Sequence, residues 1–233
     1  SEMCIRDRYF AVGTEIVVKD ENHNQGGRVV SSEYKSSWSG PFLQITYEHI
    51  SSTGREFTLI RKSSSIQHFS GAKDVNSLPV SVMTPAQKEI LTVRGKTYRE
   101  IALGSAYYQL SGHMEVKNWR YWTEMRATGR CMIDVATYDL FKHDRDSMGR
   151  TDGDISAIES VTDEMTWLTD SYCFGFSFVT KQWGRFPVAN LSEIQFRTEA
   201  FEQLVLDGDK KTLIKALVTD ASRGFQDLIS GKG

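Results

Sequence analysis

The 233-residue chain reads as an α+β protein in which strands dominate and helices are few. Three observations predict this class. Residues 41–50 alternate, with Leu43, Ile45, Tyr47 and His49 on one side. The turn 51–54 then leads into residues 55–62, where Phe57, Leu59 and Arg61 share a face, so two alternating runs meet at a short glycine-containing turn as in a β-hairpin. Phe174, Phe176 and Phe178 repeat the period of two, and residues 183–188 return from a turn at Lys181-Gln182. Helical spacing is confined to a stretch after Thr84 and to the region beyond residue 198.

Taken in order, residues 15–18 and 28–34 are strands flanking an Asn/Gly loop at 22–27, and with the first hairpin they predict a twisted meander or small barrel. Pro79 ends this block in extended structure. Thr84 is an N-cap candidate with Pro85 at the first helical position, where its missing N–H costs nothing. Ile90, Leu91 and Val93 give that helix an apolar face, and Gly95 is its expected end. Residues 98–140 hold more strand material, with 130–136 a short strand. Residues 143–154 read as a polar loop and 162–169 as a short helix. Phe201, Leu204 and Val205 lie at helical spacing in 199–206. A second helix follows a cap at Asp209, carrying Leu213, Ile214, Leu217 and Val218 as one stripe, with Gly224 as a stop.

Composition narrows the class. The chain is 39% hydrophobic, 25% charged and 11% aromatic, which suits a packed core rather than disorder. Net charge is −2, so no global field draws it to nucleic acid or to an anionic membrane. Cys4, Cys131 and Cys173 are widely spaced without a CxxC pair, so a reducing, intracellular compartment is expected. The apolar runs fall well short of the roughly 20 residues of a membrane span.

Several chemical motifs fail on spacing. Gly95-Lys96-Thr97 ends like a phosphate-binding loop, but the glycine needed five residues earlier is Ile90. Residues 144–155 open like a calcium loop, yet Met148 and Ile155 stand where ligands are required. The histidines show no zinc spacing, and no Gly-x-Ser-x-Gly elbow exists. No catalytic residue and no metal ligand is expected. One constellation remains: Tyr107, Tyr108, Trp119, Tyr121 and Trp122 with Lys117, Arg120 and Arg126. Aromatics with cations can clamp a peptide or single-stranded nucleic acid. The plainer alternative is that these rings pack a β-rich core and the arginines line its wet face.

Six segments, in order, resemble the region ahead of the motor in a mostly fungal group of AAA+ ATPases. They are residues 69–83 with Ser77-Leu78-Pro79-Val80; Arg94-Gly95-Lys96-Thr97-Tyr98; residues 129–138; residues 173–191 with Lys181-Gln182-Trp183-Gly184 at the turn; residues 194–218; and Gly224 to Gly233. Two positions depart from the group: 139–160 is more charged, and Gln226 stands where a second acid is usual. The resemblance implies a β-rich accessory region at 9–193, divisible into 9–83 and 84–193, that recruits a protein substrate or adaptor. It implies that 194–233 begins an AAA+ α/β core whose phosphate loop lies beyond Gly233. The complete protein would then bind ATP and Mg²⁺, hydrolyse ATP and form a homo-oligomeric ring, whereas these 233 residues would not hydrolyse it. Asp227, Ile229 and Gly231 would lie near the adenine. Residues 1–8 resemble translated sequencing-adapter read-through and carry no fold signal. The rival expectation is a self-contained, barrel-like module that binds peptide or nucleic acid through the aromatic cluster.

Overall fold

The structure, a computed structural model, describes residues 9–19, 23–38, 40–71, 73–74, 77–118, 121–146, 156–195, 210, 212–214 and 216–217. The chain divides into two compact units, Ser1–Ile194 and Gln195–Gly233. In the second unit, residues 210, 212–214 and 216–217 are helical, at positions expected for the second C-terminal helix; the expected helix at 199–206 lies outside the described residues.

The first unit is β-rich, with two antiparallel sheets and few helices. Strands β1 (Glu15–Lys19), β2 (Asn24–Ser37), β3 (Gly40–Ser52) and β4 (Phe57–Gln67) form the expected meander. With β5 (Val80–Val82) and β10 (Ser156–Ile158) they make a six-stranded sheet in the order β10-β4-β3-β2-β1-β5. A strand from beyond residue 150 therefore completes a sheet begun before residue 84. The second sheet has seven strands: β6 (Ser105–Leu110), β7 (His113–Asn118), β8 (Tyr121–Arg126), β9 (Gly129–Asp134), β11 (Tyr172–Ser177), β12 (Gln182–Pro187) and β13 (Leu191–Ser192). Their order is β13-β6-β9-β11-β12-β7-β8. Among the described residues the meander thus belongs to an open sheet in place of a small barrel.

Gly26 and Gly27, expected in a loop, lie inside β2. A Cβ on Gly26 would overlap the Trp167 carbonyl oxygen, so glycine here admits a close backbone approach rather than a turn. Helix α1 (Pro85–Ile101) starts as expected, and Thr84 and Gln87 close a reciprocal capping box. It does not stop at Gly95 but runs on to Ile101. Gly95 sits where the helix meets a 3-10 helix (Asp163–Leu168), and a Cβ there would overlap the Thr166 carbonyl. The strand expected at 130–136 ends at Asp134, and helix α2 (Val135–Asp146) follows at once. Asp134 Oδ1 accepts the Thr137 N–H at 2.8 Å and Oδ2 accepts its hydroxyl at 2.8 Å, so Asp134 closes the strand and caps the helix. Residues 143–146, expected in a polar loop, are helical; 147–155 lie outside the described residues.

One core joins both sheets to α1. Val17, Ile50 and Phe57 of the first sheet, Leu91, Tyr98 and Ile101 of α1, and Leu110, Met114, Ile133 and Phe186 of the second form one buried cluster with Trp167 and Leu168. The opposite face of the first sheet carries a second cluster of Phe10, Ile16, Val29, Leu43, Ile45, Tyr47, Ile66, Leu78 and Val80. Ile16 and Val17 belong to different clusters because successive strand residues point to opposite faces.

Candidate interaction surface

The second sheet presents its other face to solvent, and strand register decides what lies on it. β6 to β9, β9 to β11 and β11 to β12 align Tyr107, Met132, Phe176 and Trp183 in one cross-strand row. The adjacent row reads Phe174, Arg185, Glu115 and Glu124. Rings join along and across these rows. Tyr107 meets Phe178 at 5.9 Å between centroids, Phe178 meets Phe176 at 5.6 Å, and Phe176 meets Trp183 edge-on at 5.4 Å. Helix α2 adds Phe141, 5.8 Å from Trp183, and Tyr138, stacked on Phe174 at 4.5 Å. Phe174 lies 6.2 Å from Trp122. Tyr107 is 62% exposed, Phe141 70% and Phe178 44%, so the array is wet at the end near β6 and under the outer side of α2.

The other end is closed by charge. The Arg185 guanidinium lies 4.4 Å from the Trp122 ring centroid and 4.1 Å from that of Tyr172. Its Nε donates to Glu115 Oε2 at 2.7 Å, and Tyr172 donates its hydroxyl hydrogen to Glu115 Oε1 at 2.8 Å. Glu115 is buried, so this ring-sandwiched arginine compensates its charge. Lys117 also stands over the Trp122 ring, 5.0 Å from its centroid.

The structure separates the aromatic residues singled out from sequence. Tyr107 and Trp122 share the solvent face, with four strands between β6 and β8. Tyr108 points the opposite way and packs against the core, where burial raises its hydroxyl pKa. Tyr121, 74% exposed, alternates away from Trp122. Trp119 and Arg120 lie outside the described residues, as do Asp227, Ile229 and Gly231. Tyr138, Trp183, Arg185 and Glu115 complete the array without having been singled out. The alternation of Phe174 and Phe176 held part of that signal, but strand order did not follow from it.

A second polar constellation is sealed. His49 Nε2 lies 2.9 Å from Asp170 Oδ1, and Ser51 also bonds that carboxylate. The arrangement gathers Ser, His and Asp, but Asp170 stands between the other two and His49 has no exposed surface, so no substrate reaches it. Burial outweighs Asp170 and lowers the His49 pKa, which keeps the imidazole neutral. Burial also works against the Asp170 charge, but His49, Lys62 and Ser51 prevail and hold its carboxyl well below the usual range. Around it, the Asp170 N–H donates to Ile50 C=O at 2.8 Å, and the Ser171 N–H to Gln25 Oε1 at 3.0 Å. Gln25 Nε2 donates to Thr169 C=O at 3.0 Å. This is a lock between the first sheet and the segment leading into β11 rather than a reaction centre. Among the described residues, no group of three or more His, Cys, Asp and Glu could hold a metal ion, and no helix is long and apolar enough to cross a membrane.

A family model described as a domain of unknown function (DUF7025) matches residues 8–87. The match spans β1 to β5 and the first residues of α1, and contains none of the aromatic array. No curated protein and no solved structure matches the chain.

Proposed function

We propose that residues 9–193 form a recruitment module that holds a protein client or adaptor on the aromatic face of the second sheet. The observation that carries this reading is the connected array from Tyr107 to Trp122, open to solvent at Tyr107, Phe178 and Phe141. Rigid rings offer contact area at little entropic cost and dominate protein interfaces. Single-stranded nucleic acid, the second occupant the sequence suggested, is disfavoured because Glu115 already compensates Arg185, the cation that closes one end of the array. The resemblance to AAA+ ATPases supports the wider role: an accessory region that delivers clients to an ATP- and Mg²⁺-dependent ring motor, with residues 194–233 as the start of its core and Asp227, Ile229 and Gly231 beside the adenine. On that reading the module carries no catalytic residue and the 233-residue chain lacks the phosphate site.

The test is binding of a reduced, carboxymethylated, permanently unfolded protein, with oligothymidylate and ATP as competing probes. The unfolded protein should bind, and Tyr107→Ser with Phe178→Ser should weaken it at least fivefold. Tighter binding of oligothymidylate, or an unchanged affinity in the double variant, refutes recruitment through this face. Tight ATP binding refutes the assignment of the nucleotide site to sequence beyond Gly233.

A further inference from the structure

We draw no further inference here: the strongest candidate, the tip of the β2–β3 hairpin where Trp38 is fully exposed, is an apolar surface for which nothing in the structure shows what covers it.

Discussion

The two sheets handle apolar surface differently. The first is apolar on both sides, and its two buried clusters meet back to back through Ile16 and Val17. The second buries one face on α1 and lays rings along the other, where Tyr107 and Phe141 remain wet. A side chain enclosed on all sides contributes to stability; a ring half in water contributes less and stays available to a partner. The same residue chemistry therefore means scaffold in one sheet and surface in the other.

The contrast can be broken most sharply in the first sheet. Ile45→Ala empties a fully buried site and should cost about 3 kcal/mol, read as a lower urea midpoint at unchanged slope. Glu115→Ala should cost about 2 kcal/mol, because it leaves Arg185 between two rings without its carboxylate, and the loss should appear with weakened client binding. Acid comes next. The His49 pKa is lowered in the folded protein, so above about 6.5, the ordinary histidine value, neither state takes up its proton and the lock is intact. Below that value the unfolded chain gains a proton that folded His49 resists, and stability falls with pH; Asp170, also lowered, extends the loss below the usual carboxylate range. Urea melts from pH 7.5 to 5 should show the decline, and His49→Gln should flatten it. The smallest effect belongs to the aromatic face: Tyr107→Ser should change stability by less than about 0.5 kcal/mol while client affinity drops. Equal destabilisation by Ile45→Ala and Tyr107→Ser would erase the distinction between the sheets.

Local chemistry made part of this legible. The alternation through Leu43, Ile45 and Tyr47, and the Thr84-Pro85 cap, rest on neighbours in sequence and were readable there. Gly95 looked like a helix end because its cause, the Thr166 carbonyl, lies 71 residues away. Asp134 looked like strand interior because one residue both ends β9 and caps α2. The aromatic array was readable only in pieces. Glu115 and Arg185 are 70 residues apart, and no local pattern announces that β12 lies beside β7.

The lock at Asp170 also bears on how the protein is born. β4 gains its neighbour β10 only after about ninety further residues have been synthesised, and His49 its carboxylate at Asp170 later still. The stretch matched as DUF7025 is thus not a sealed folding unit. Released alone, it would leave Phe57–Leu59 of β4 and the His49 imidazole without the counterparts that the later segment supplies, an invitation to aggregation.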